Sequence, residues 1–171
     1  MKQFLIAIGL LFLFSSFINN KFVNGLCRDN EEVVFSFTLT NSKKSACLCK
    51  DKSGGYIVYR FGTIDKVELQ YPEKLDASSW KAFTLRGQKR FGGKANAGFG
   101  DYSLTFNNNN VKYVLFDSWS DEDDSKEIGI KVNINGKETI LKGNYKTKKG
   151  TLLRLDDEQG DKIPNTANEE Q

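Results

Sequence analysis

The run Tyr56-Ile57-Val58-Tyr59-Arg60-Phe61-Gly62-Thr63-Ile64-Asp65-Lys66-Val67-Glu68-Leu69-Gln70-Tyr71-Pro72 decides the fold class. It opens on β-branched and aromatic residues, turns at 62–65, and returns with Val67, Leu69 and Tyr71 on one side. A period of two marks a strand with one buried face. Pro72 closes the return by removing a donor and fixing φ. The same grammar runs outward in both directions. Upstream, residues 33–40 form a β-rich segment ending in a polar turn at 41–44, and 45–50 carry Ala46, Leu48 and two cysteines. Asp51-Lys52-Ser53-Gly54-Gly55 then reads as a hairpin turn. Downstream, 75–80 suit one helical turn capped by Asp76 or Ser78, and 81–86 alternate again. Strand 102–106 pairs across four asparagines with 111–119, and 128–134 returns through Asn135-Gly136 into 137–141. Asn-Gly is the strongest short hairpin signal. A last short strand is expected at 152–155. The expected fold is all-β: a single small antiparallel barrel or sandwich of about eight strands, spanning residues 26–155.

The ends differ in character. Met1-Lys2, the apolar run 4–14 and the more polar stretch to Gly25 make up a secretory signal, with cleavage expected after Gly25. The apolar run is far short of the roughly 20 residues that a membrane span requires. Cys27 lies where a lipidated cysteine would sit, but Leu26 occupies the position where that chemistry takes a small residue, which argues against lipidation. The expected location is periplasmic or secreted, without a transmembrane segment once the signal is removed. Residues 156–171 have almost no apolar content and read as a disordered polar tail.

Cleavage takes Lys2 and Lys21 from the 25 basic residues and none from the 22 acidic ones, so the net charge falls from +3 to +1. Near-neutrality argues against nucleic acid as a partner. Cys27, Cys47 and Cys49 remain, an odd number. One disulfide is expected, joining Cys27 to Cys47 or Cys49, with the third thiol buried or left for an intermolecular bond.

Histidine is absent from all 171 residues. That excludes Ser-His-Asp and Cys-His catalysis, and it excludes histidine-ligated metal sites. No cofactor and no metal are expected. The glycines at 92, 93, 98 and 100 do not have the spacing of a phosphate-binding or dinucleotide loop. The acidic tip Asp121-Glu122-Asp123-Asp124 lacks the alternating ligands and the glycine of a calcium loop.

Two regions remain as candidate partner-binding surfaces. The first is 89–100, read as a long basic glycine-rich loop in which Lys89, Arg90 and Lys94 offer cations and Gly98 allows close backbone approach. The second is Arg60, placed mid-strand between two aromatics, where it needs a carboxylate or a ring; Glu68 on the next strand is the expected partner. Glu68 and Asp101, each in or beside an expected strand, are the candidate carboxylates for a histidine-free glycan hydrolase.

Residues 55–63 and 67–72, with the later strands 102–106 and 113–116, look like segments of small, uncharacterised secreted proteins of Gram-negative bacteria. More loosely, the plan of signal, small barrel and functional loop is similar to the periplasmic inhibitors of c-type lysozyme. That family inserts a Ser-Gly-x-x-Tyr loop and a lysine into the enzyme's acidic cleft. The nearest stretch here is Ala97-Gly98-Phe99-Gly100-Asp101-Tyr102, with alanine in the serine position and the tyrosine one place later. The resemblance implies an exported, non-enzymatic protein that occludes an acidic active site, as an inhibitor or an immunity protein. The alternatives are the glycan hydrolase and an envelope structural domain with no active site.

Overall fold

The computed structural model describes residues 22–93, 96–159 and 161–165. The expected signal falls mostly on residues 1–21, outside the described residues. Two short strands come first, β1 (Phe22–Asn24) and β2 (Cys27–Arg28), paired with each other. A meander follows: β3 (Glu31–Thr38), β4 (Ser45–Asp51), β5 (Ile57–Thr63) and β6 (Lys66–Tyr71). A 3-10 turn at Ala77–Ala82 is capped by Asp76, whose carboxylate accepts from the Ser78 N–H at 2.9 Å. The second meander is β7 (Thr84–Arg90), β8 (Phe99–Asn108), β9 (Val111–Ser120), β10 (Ser125–Ile134) and β11 (Lys137–Lys142). Strand β12 (Lys149–Gly150) returns to the outer side of β3, and the helix α1 (Leu153–Gln159) follows.

The strands form two five-stranded antiparallel sheets, ordered β12-β3-β4-β5-β6 and β11-β10-β9-β8-β7. The barrel expectation is corrected, because the sheets do not join into a closed ring, and the arrangement is sandwich-like. Phe35, Phe37, Leu48 and Tyr59 from the first sheet share one core with Leu104, Phe106, Leu115 and Ile130 from the second. Tyr71, Phe106 and Tyr113 stack through it, with centroids 4.5 and 4.9 Å apart. A smaller cluster lies on the opposite face of the first sheet, where Leu26 and Cys27 cover Cys47, Cys49 and Val58.

The hairpin turns follow their chemistry. Asn135 and Gly136 take φ of 51° and 84°, and Asn109 and Asn110 take 49° and 63°, the left-handed pairs that two-residue hairpins demand. In the second sheet, three glycines sit directly opposite aromatics: Gly87 with Tyr102, Gly100 with Trp119 and Gly129 with Phe116. In each case a Cβ on the glycine would collide with the ring, so the aromatic lies across the neighbouring strand. Gly100→Ala should therefore cost about 1–3 kcal/mol through overpacking against the Trp119 indole. It would be read as a lower urea midpoint at unchanged slope.

Two further expectations are corrected. Residues 152–155 are not a strand. Leu152 and Leu155 are both buried, three apart, and this spacing suits the start of α1. The supposedly disordered 156–171 is placed as far as Asn165, apart from Gly160. Ile163 is only 2% exposed, the Leu85 N–H donates to the Pro164 carbonyl at 2.8 Å, and Asn165 bridges Leu85. A single buried isoleucine in a polar stretch leaves no periodicity to detect.

Candidate functional site

On β5, Ile57 and Tyr59 point into the core, so Val58 and Arg60 take the opposite face beneath the N-terminal segment. Arg60 is fully buried there. Its Nη1 and Nη2 donate to the two Glu31 carboxylate oxygens at 2.6 and 2.8 Å. Nη1 also reaches the Leu26 carbonyl at 3.0 Å, and Nε reaches Gln70 at 2.9 Å. Glu31 further accepts from the Arg28 N–H at 2.7 Å and the Tyr56 hydroxyl at 2.9 Å. Burial alone would raise the Glu31 carboxyl, but the donors from Arg60, Arg28 and Tyr56 together hold it below its ordinary value. The expected Arg60–Glu68 pair does not form, because the ladder puts Gln70 opposite Arg60 and Glu68 turns to Lys44 at 2.8 Å. Arg60 therefore ties the structure together and is not exposed to a partner.

The disulfide joins Cys27 to Cys49. The Cys27 sulfur is engaged in this bond, a structural use of the cysteine. Cys47 is free and buried, and burial pushes its thiol above the ordinary value despite donors from Leu26 and Ser36. Among the described residues, Cys27, Glu31 and Cys49 are the only grouped potential metal ligands. The two sulfurs are joined to each other and the carboxylate is held by Arg60, so this donor set does not fit a metal.

The long loop expected at 89–100 is instead the end of a hairpin. The β7–β8 ladder continues to Arg90 opposite Phe99, leaving 91–98 as the connection. Lys94 lies outside the described residues. Lys89 points toward α1 and pairs with Asp157 at 2.5 Å. The Arg90 guanidinium lies 5.2 Å from the Phe99 ring centroid, and its Nε donates to the Ala97 carbonyl at 3.1 Å. A Cβ at Gly98 would meet the Asp121 carboxylate at 2.6 Å and Trp119 at 3.2 Å, so this glycine serves internal packing. The Asp121 N–H donates to the Gly98 carbonyl at 2.9 Å, which sets the acidic tip 121–124 against the basic hairpin. At this end of the sheet, Phe91 is 71% exposed.

The outer face of the second sheet holds a groove of about 390 Å³. Because Leu104, Leu115 and Ile130 face the core, the residues beside them face out, and the register arranges them in rows. Asp101, Ser118 and Glu127 form one row, and Ser103, Phe116 and Gly129 the next. Val114, Lys131 and Ile140 form the third. The Lys131 ammonium stands 5.7 Å from the Phe116 ring centroid. Sequence reading missed this groove, since Phe116 passes for one more core residue in an apolar strand.

A second, apolar cavity of about 320 Å³ opens between Phe61 and Leu69 of the first sheet and Tyr113, Val132 and Leu141 of the second. Glu68 lines this cavity, whereas Asp101 lines the groove on the outer face. The carboxylate pair suggested for a hydrolase is thus split between separate cavities. Catalysis by such a pair needs both groups flanking one glycosidic bond.

Set against protein-family models, curated proteins and solved structures, the chain matches none.

Proposed function

We propose that this chain is an exported, non-enzymatic binding protein that occludes a partner enzyme, as an inhibitor or immunity protein, with the end of the β7–β8 hairpin. The observation that carries this reading is Phe91, which stands 71% exposed beside an arginine braced on Phe99. Aromatic residues and arginine are enriched at protein interfaces, and arginine is among the residues that dominate their energetics. The signal-like N-terminus and the Cys27–Cys49 bond favour an oxidising, extracytoplasmic setting. No described helix is long and apolar enough to cross a membrane. The contact set differs from the one expected of the sequence: Phe91 and Arg90 contact the partner, while Lys89 is held by Asp157.

The test is capture from envelope extract by the mature domain, followed by affinity measurement on the captured enzyme. Arg90→Ala and Phe91→Ala should each weaken binding by about tenfold or more, the scale of an interface hot spot. Lys89→Ala should weaken it less than either, by severalfold at most, since it removes a surface pair with Asp157 and a cation 5.6 Å from the Phe91 ring centroid while leaving the ring itself. Capture that ignores Arg90→Ala and Phe91→Ala would overturn the reading, and absence of any captured protein would leave a structural domain.

A further inference from the structure

We propose that the outer face of the second sheet carries a carbohydrate subsite, in which a neutral sugar ring stacks on Phe116. Asp101 and Glu127 on one side, Lys131 on the other, and Lys142 at the end of the ring's own row would hold its hydroxyls. The site is separate from the hairpin end and does not rest on that proposal.

The first argument is the posture of Phe116. It belongs to the outward row of β9, where a solvated antiparallel sheet ordinarily places polar residues. Its neighbours within that row, Ser103 and Gly129, are small. A side chain at Gly129 would displace the ring, which can lie across β10 only because that position is glycine. The ring therefore forms part of the groove floor rather than standing up from it. The Lys131 ammonium, 5.7 Å from the ring centroid, is a flexible cover that a ligand can move aside.

The second argument is the polar complement around the ring. Sugar hydroxyls donate and accept, and pack an apolar C–H face between them. The groove offers carboxylate acceptors in Asp101 and Glu127, ammonium donors in Lys131 and Lys142 with Lys126 at its rim paired to Asp124, and hydroxyls in Ser118 and Thr40. Both signs of charge within reach of one ring suit a neutral polyhydroxylated ligand. Three lysines face two carboxylates, so an anionic chain or a phosphate would still meet both carboxylates, and a lipid would strip water from all five charges without replacing it. At about 390 Å³ the groove lies within the size range of small-ligand sites, which begins near 300 Å³.

The test is a titration of the full mature chain, followed by amide NMR and calorimetry. The probes are neutral trisaccharides of glucose and of N-acetylglucosamine, beside an oligogalacturonate. At least one neutral trisaccharide should shift the amides of Phe116, Ser118, Gly129 and Lys131 saturably. Phe116→Ala should lose at least tenfold in affinity, whereas Phe116→Tyr, which keeps the ring, should retain most of it. Asp101→Asn, an exposed and isosteric change, should weaken binding severalfold with an unchanged spectrum elsewhere. Phe91→Ala should leave the titration untouched. No saturable shift with either neutral probe, tighter binding of the uronate, or binding that survives Phe116→Ala would each overturn the proposal.

Discussion

Replacing Arg60 by methionine should destabilise the domain by about 3–5 kcal/mol, the cost of leaving one partner of a buried ion pair uncompensated. Both side chains are fully buried, and the guanidinium also holds Leu26 and Gln70, so its removal strands a carboxylate and a main-chain carbonyl. Small domains have roughly 5–15 kcal/mol in all, so the variant should show a large fall in its urea midpoint. A midpoint indistinguishable from the native one would sink the assignment. Exchanging both partners together, Glu31→Leu with Arg60→Met, should recover part of the loss, because no charge then remains buried. The pH dependence has a definite sign. The Glu31 carboxyl in the folded chain lies below its ordinary value, so its contribution is present above that value. The contribution is lost as pH falls through the folded value. In Arg60→Met, burial acts on Glu31 without its main partner, and the acid limb of the stability curve should move to higher pH.

Loss of the Cys27–Cys49 bond should have the second large effect. The bond closes a loop with a sequence separation of 22, which the chain-entropy account values at about 3 kcal/mol. Cys27→Ala with Cys49→Ala, compared with the native protein by urea denaturation, reads it directly. The bond and the Arg60 pair hold the same segment, Leu26 to Glu31, against β4 and β5. Their losses should therefore combine to less than the sum of the separate effects. Additive losses would mean that the two act on different parts of the molecule. Peptide mapping under oxidising conditions should return Cys27 with Cys49 and leave Cys47 reduced, in keeping with its buried and raised thiol.

The meanders were legible in the sequence because each strand carries its own period and each turn its own chemistry. Asp76 caps its turn and Asn135-Gly136 makes its hairpin through interactions spanning only a few residues. Contacts between distant parts of the chain left no such trace. Glu31 sits in a run with Asp29, Asn30 and Glu32 that looks like a solvated turn, and only the folded N-terminal segment carries it onto Arg60. Glycines 98 and 100 suggest an open loop, yet the aromatic and acidic residues they accommodate come from β9 and the tip beyond it. Phe116 gave no sign of facing outward, since its place relative to Gly129 depends on the β9–β10 register.

The contact of the C-terminal segment with Leu85 has a consequence for how molecules of this protein meet one another. Strand β7 is the last in its sheet, and an uncovered terminal strand is a template for another chain. Pro164 takes the Leu85 N–H, and Asn165 lies beside it. At the opposite end, β11 presents Lys137, Glu138 and Lys142, charges that discourage a neighbour's strand from adding on. The polar C-terminal stretch is in this sense a guard against polymerisation, and removing it would uncover the β7 edge at the same time as it took Ile163 out of the core.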